Sequence, residues 1–366
     1  MNFPLDDFLK DLEKIINIDS GTHNIEGNLS VAAFFEEQFK AAGFDVRVLR
    51  TGESGRPLVV ASSPGNGSFD FLLCGHMDTV FADGTAAKRP FRVEDGCAFG
   101  PGTVDMKAGA LLMLYLARHM AESRPDIRLK ILLNSDEETG SEDTSPYMLR
   151  EACGCGAIFV FEGARKRGQF VAERKGISKY TLEITGIPSH AGTAPKEGVS
   201  AITELARWIT ALDRLKNYDR GTTVNVGTIS GGTALNVVAP SATATFEVRY
   251  RSTRELARTE RALKRLVSKP FLEGAEAKLT LDSRKEPLEI SEQTSALIDI
   301  LEPLGLEYVS AGGTSDANIL AALGIPVIDG CGPGGGNPHT DKEFLKISTV
   351  TERFDIMCRI FELLKK

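Results

Sequence analysis

At 366 residues the chain is longer than one hydrophobic core comfortably serves, so two domains are expected. A formal charge of −7 argues against a nucleic-acid partner, and no apolar run is long enough to cross a bilayer, so no membrane partner is expected either. The first eighteen residues show no basic stretch followed by an apolar segment, and the six cysteines are scattered without a framework, so a cytoplasmic protein with free thiols is expected.

Leu5, Phe8, Leu9, Leu12, Ile15 and Ile16 make a helical stripe, and a second helix is expected over 28–42, stopped by Gly43. Segments 44–49 and 58–61 alternate like strands. Residues 69–74 read as a buried strand that ends on Gly75, with His76 and Asp78 just beyond. A rigid strand end can hold an imidazole still, and Asp78 stands where it can accept the ring's other N–H. Alone, such a pair is usually an ordinary surface or core contact. The loop from Gly100 to Gly109 feeds a helix over 108–121, and its Asp105 reads either as a helix cap or as a ligand. Strand 129–133 runs into Asp136-Glu137-Glu138, three acids that repel one another unless a cation sits among them. A solvated acidic turn is the plainer reading of that stretch. Strand 157–161 also stops on an acid, Glu162.

From about residue 176 the pattern changes. Strand 178–185, helix 199–215, strands 222–229 and 242–250, helix 254–267 and strand 277–281 follow the β-α-β-β-α-β order of a ferredoxin-like α+β domain. The chain then returns to the first domain through helices at 291–304 and 316–323 and a strand at 325–328. A glycine-rich loop from Gly330 follows, carrying His339, and a helix over 350–364 closes the chain. That loop lacks the Lys-Ser/Thr ending of a phosphate loop, so it is read as flexible backbone that delivers His339.

In an α/β sheet the carboxyl ends of parallel strands share one edge, so His76, Asp105, Glu137, Glu138, Glu162 and His339 are expected to converge there. Two imidazoles and several carboxylates suit zinc. A pair of dications needs a shared carboxylate or water between them. One of Glu137 and Glu138 would bind metal and the other would move protons.

The motifs His76-Met77-Asp78-Thr79-Val80, Gly100-Pro101-Gly102 with Asp105, Asp136-Glu137-Glu138-Thr139-Gly140-Ser141, Ser189-His190-Ala191-Gly192 and His339-Thr340-Asp341 together resemble the co-catalytic zinc peptidase family. That family includes bacterial glutamate carboxypeptidase, aminoacylase, succinyl-diaminopimelate desuccinylase and acetylornithine deacetylase, and the likeness is strongest to the first. The resemblance implies a three-layer α/β catalytic domain with a mixed sheet over 1–175 and 286–366. It implies an inserted ferredoxin-like lid over 176–285 that also makes a homodimer. It implies two Zn2+ per subunit, with Co2+ or Mn2+ as substitutes. Asp105 would bridge the ions, His76 and Glu162 would complete one, and Glu138 and His339 the other. Glu137 would be the general base and Asp78 the partner of His76, and the peptide after Asp105 would be cis. His190 would stabilise the oxyanion, in its own or the neighbouring subunit, while Arg249 and Asn236 would contact the substrate.

The implied activity is hydrolysis of an amide bond in a small carboxylate-bearing peptide or amino-acid conjugate. An N-acyl amino acid deacylase is the nearest alternative, and a non-catalytic metal- or peptide-binding relative is the alternative of another class. Two stretches depart from the glutamate carboxypeptidase pattern. Segment 163–175 lacks its polar residues, and Glu286-Pro287 stands where an arginine would precede the proline, with Arg284 two residues earlier.

Overall fold

The computed structural model describes residues 3–365, in two compact units. The first unit comprises the chain through Ala172, Ile290–Ser310 and the chain from Ser315 onward; the second comprises Glu173–Glu289 and Ala311–Thr314. Among the described residues no helix is long and apolar enough to cross a membrane.

The first unit is built on a six-stranded mixed sheet. Spatially its strands run Asp45–Thr51, Arg56–Ser62, Leu129–Asn134, Phe71–His76, Ala157–Val160 and Val327–Ile328. The first two are antiparallel additions, and the last four run parallel to one another. Strand Phe71–His76 sits between two parallel neighbours and is buried at every position, which is why it reads as an unbroken apolar run and not as alternation. On one face Val59, Leu73, Ile131 and Phe159 share a core with helices Leu5–Ile16, Ile25–Ala41, Ala108–Ser123 and Ser348–Leu364. Asn24 caps the second of these helices by accepting the Gly27 amide at 2.8 Å, so that helix begins a turn earlier than its apolar periodicity suggests. The other face is covered in part by helix Ser145–Ala152, whose Glu151 takes the Lys130 ammonium through its carbonyl at 2.8 Å.

Lys107, at the start of helix Ala108–Ser123, is almost wholly buried. Its ammonium donates to the Ile15 and Ile18 carbonyls at 2.8 and 2.9 Å, satisfying the end of the first helix. A small antiparallel sheet of Gly335–Gly336, Phe344–Lys346, Cys97–Phe99 and Arg92–Glu94 was not visible in the apolar pattern, because strands of two or three residues show no periodicity.

The inserted unit is the α+β domain that the chain order suggests. Its antiparallel sheet runs Thr223–Gly231, Ser241–Tyr250, Gly176–Thr185 and Glu276–Lys285, with helices Ala201–Asp213 and Thr253–Ser268. On strand Ser241–Tyr250, Ala242, Ala244, Phe246 and Val248 point into a core with Trp208, Leu205 and Leu263. The alternate residues, Arg249 among them, take the opposite face.

Candidate metal centre

Strand register explains why residues far apart in sequence meet. His76 is paired with Asn134, and Cys74 with Val160, on parallel strands. The chain therefore leaves all three strands at one level, with His76, the 136–138 acids and Glu162 on one edge. Two glycines let the neighbouring loops close in. A Cβ on Gly109 would lie 2.1 Å from the Phe161 carbonyl oxygen, and one on Gly332 would lie 2.4 Å from the same atom. Only glycine allows the Asp105 loop and the His339 loop to press on the strand that carries Glu162.

Asp105 lies at the middle of the result. One of its oxygens is 3.4 Å from His76 Nε2, and the other is 2.9 Å from His339 Nε2. Glu162 lies 3.5 Å from the same His76 nitrogen, and Glu138 lies 3.4 Å from the His339 nitrogen. Two overlapping sets have ligand atoms within 4.8 Å of one another: His76, Asp105 and Glu138, and His76, Glu137 and Glu162. His76 Nε2 and Glu138 Oε1 are buried and have no hydrogen-bond partner. A cation supplies what both atoms lack, so the donor set fits a metal. The carboxylates favour positive charge throughout. Asp105 and Glu138 raise His339 to about 10. Burial opposes charge on His76, but Asp105, Asp78 and Glu162 outweigh it and raise the group well above its ordinary value. Asp105 is itself held low: burial would raise it, and the two imidazoles more than reverse that. For Glu138 burial wins, helped by the charge of Asp105, and its affinity for a proton rises.

Asp78 pairs with His76 and has further partners besides. His76 Nδ1 donates to the Asp78 backbone carbonyl at 3.0 Å, with the carboxylate further off at 3.3 Å. A carbonyl only accepts, so Nδ1 carries a proton and Nε2 faces the centre. The Asp78 carboxylate also accepts the amides of Glu137 and Glu138, each at 3.2 Å, and the Thr22 hydroxyl at 2.7 Å. It thereby fixes the turn that presents both glutamates. The three consecutive acids are sorted by their surroundings. Asp136 turns away to accept the Asp143 and Thr144 amides and the Thr144 hydroxyl, leaving Glu137 and Glu138 for the centre.

Asp105 caps no helix: the following helix has Lys107 at its N-cap, without a side-chain cap bond. The Asp105–Met106 peptide is cis. The Asp105 loop is held by Glu343, which the sequence reading missed. This buried carboxylate accepts the amides of Gly102 at 2.9 Å, Val104 at 2.8 Å and Asp105 at 3.1 Å. Burial pushes it up to about 7 against the pull of those donors. In sequence it looks like one more charge in an exposed Asp-Lys-Glu turn, four residues past His339.

The remaining candidates belong to the inserted unit. His190 Nδ1 accepts the Gly192 and Thr193 amides at 3.1 Å each, and His190 forms a backbone bridge with Val237, beside Asn236. Arg249 lies near the other end of the sheet, paired with Glu247 at 2.8 Å and donating to the Gly312 carbonyl at 3.3 Å. Arg284 is tied to Glu260 and to the Ser178 hydroxyl within the same unit.

Residues 72–363 match the model of peptidase family M20/M25/M40. The chain is 30% identical to carboxypeptidase G2 of a Pseudomonas species over 96% of its own length and 88% of that protein's. It is 28% identical to a putative succinyl-diaminopimelate desuccinylase of Mycobacterium tuberculosis, over 87% of this chain and 88% of the relative. Its fold matches an aminopeptidase from Bacillus cereus with a TM-score of 0.81 at 22% identity, each chain covered completely. It also matches a metallo-carboxypeptidase from Sulfolobus solfataricus with a TM-score of 0.76 at 18% identity, covering 98% of this chain and 99% of the other.

Proposed function

The chain belongs to peptidase family M20/M25/M40, and on that premise we propose that it is a two-zinc hydrolase releasing the C-terminal portion of small carboxylate-bearing peptides or amino-acid conjugates. As a member of that family it is a metal-dependent hydrolase of amide bonds. The observation that carries the finer reading is the way Asp105 offers one oxygen toward His76 and the other toward His339. A carboxylate so placed suits a pair of ions that need a shared ligand. His76 and Glu162 would hold one zinc, and Glu138 and His339 the other.

Bound zinc supplies Lewis acidity toward the scissile carbonyl and acidifies water nearby. The chain's own residues do the rest. As the family resemblance implies, Glu137 is the general base beside the metal ligands: it takes the proton from attacking water and returns it to the leaving amine. The Asp78 carboxylate, which accepts the Glu137 and Glu138 amides, holds the base and the ligand in register. Arg249 grips a substrate carboxylate, Asn236 contacts the substrate, and His190 steadies the developing oxyanion.

We infer a homodimer through the inserted domain, a reading that its strand register supports. Ser241 pairs with Thr185, toward the His190 end, while Arg249 pairs with Ile177 eight residues along the strand. That span is about 27 Å, too far for both side chains of one domain to reach one small substrate. A second copy would supply His190. The edge strand Thr223–Gly231, with Ile229 exposed, is a surface such a copy can cover. Free cysteines at all six positions fit a cytoplasmic enzyme.

Likeness to a desuccinylase favours a second reading, an N-acyl amino acid deacylase built on the same centre. A hydrolysis screen of zinc-loaded protein over dipeptides, folyl-glutamates and N-acetyl or N-succinyl amino acids separates the two. Preference for peptides and conjugates supports the first reading, and preference for acyl amino acids supports the second. Absence of hydrolysis from every class would overturn both.

A further inference from the structure

A cavity of about 600 Å³ lies in the first unit, between the Arg165–Gly168 turn, the Gly305–Glu307 segment and the first turns of helix Ser348–Leu364. Its size suits a small ligand. Its lining is strongly basic: Arg165, Lys166, Arg167, Lys346 and Arg353 face it, against Glu307 and Glu352. Glu307 is partly engaged, accepting the Gln169 amide at 3.0 Å.

Arg353 is the telling residue. It is 4% exposed and lies over the Phe170 ring, 4.1 Å from its centroid. Nη2 donates to the Gly168 carbonyl at 2.9 Å. Nη1 is buried and has no hydrogen-bond partner, and no carboxylate among the described residues forms an ion pair with this guanidinium. Burial makes the charge costly enough to lower the group's proton affinity. An arginine buried without a counter-charge is destabilising unless an anion reaches it. Both N–H groups of Nη1 remain unpaired, donors that the oxygens of an oxyanion accept. The start of the 17-residue helix Ser348–Leu364 adds partial positive charge to the same wall.

We propose that this cavity binds a small multiply charged oxyanion, a phosphate or a dicarboxylate, on Arg353, with Lys346 and the Arg165–Arg167 turn as its outer electrostatic rim. The pocket shares its walls with the metal centre's loops. Ala164 lies two residues past Glu162 and donates to the Pro333 carbonyl at 3.2 Å, while Gly332 donates to the Glu162 carbonyl at 2.9 Å. An anion seated there would brace the two segments that carry Glu162 and His339.

The test is calorimetric titration of the zinc-loaded full chain at constant ionic strength, with inorganic phosphate in one arm and succinate in the other. Arg353→Gln, Lys346→Glu and Arg167→Glu are titrated beside the wild type. Oxyanions also bind metal, so the wild type should show two classes of site, and only one should depend on the pocket. That class should weaken about tenfold or more in Arg353→Gln, and measurably in the two charge reversals at the rim. Hydrolysis without added anion should stay within about twofold of wild type in the rim variants. The arm with the tighter pocket class identifies the oxyanion type. Should Arg353→Gln fail to fold, the two exposed variants decide alone. Isotherms identical in wild type and rim variants for both anions, or a single class of site throughout, would overturn the proposal.

Discussion

The Glu343 carboxylate accepts the Val104 amide at 2.8 Å across 239 positions of chain. With the Gly102 and Asp105 amides added, one acid anchors the loop that presents Asp105 to both imidazoles. Glu343→Gln keeps the shape but loses the charge and turns one acceptor into a donor facing an amide. Unfolding free energy should fall by about 2–4 kcal/mol, and zinc should bind more weakly. Denaturant melts and competitive zinc titration measure both. A variant equal to wild type in each would show that the loop holds its place without Glu343.

Glu137→Ala should lower turnover by about 10²–10⁴ while zinc content stays at the wild-type level. Loss of metal alongside loss of rate would make Glu137 a ligand and would end its assignment as the proton carrier. Undiminished rate would end it too.

The strand ends were readable because each apolar run stopped abruptly at a residue with chemistry: His76, the 136–138 acids and Glu162. Their convergence required only that the strands be parallel. Glu137 and Glu138 were picked out for the centre, but what turns Asp136 away was not readable, because it is claimed by the Asp143 and Thr144 amides and the Thr144 hydroxyl from a later turn. Nor was the work of the Asp78 carboxylate, which depends on Thr22 meeting it from 56 residues away. Lys107 and Glu343 look like surface charges in sequence; only tertiary packing shows that their partners are backbone groups of distant segments.

Arg249→Ala should raise KM about tenfold or more for substrates with a free carboxylate and leave KM for the matching amides nearly unchanged. An equal effect on both would assign Arg249 to the folding of its own domain, where it already pairs with Glu247.

Mixing His190→Ala with Glu137→Ala tests whether His190 acts across a dimer. Each variant alone should be nearly inactive. After subunits exchange, half the dimers carry one intact site, so about a quarter of wild-type activity should return. No recovery, with exchange verified by mass, would place His190 in its own subunit's site.

Glu151 ties acid stability to one helix. Burial would raise it, but the Arg47 hydrogen bond and charge, with Lys130, leave it below its ordinary value of 4.5. A carboxyl lowered in the fold stabilises above its unfolded value and loses that contribution as pH falls through the folded one. Glu151→Gln should therefore cost about 1–2 kcal/mol near neutrality and progressively less below 4.5, read as thermal midpoints at several pH values. A difference that does not change with pH would mean that packing, and not charge, is what the substitution removes.

Zinc stoichiometry after reconstitution, measured by elemental analysis on wild type and Asp105→Ala, bears most directly on the proposal of a two-metal centre. The account predicts two zinc ions per wild-type chain and one or none in Asp105→Ala, with hydrolysis abolished by a chelator and restored by zinc. Folded wild-type protein that takes up no zinc, or an Asp105→Ala chain that still holds two ions, would contradict it.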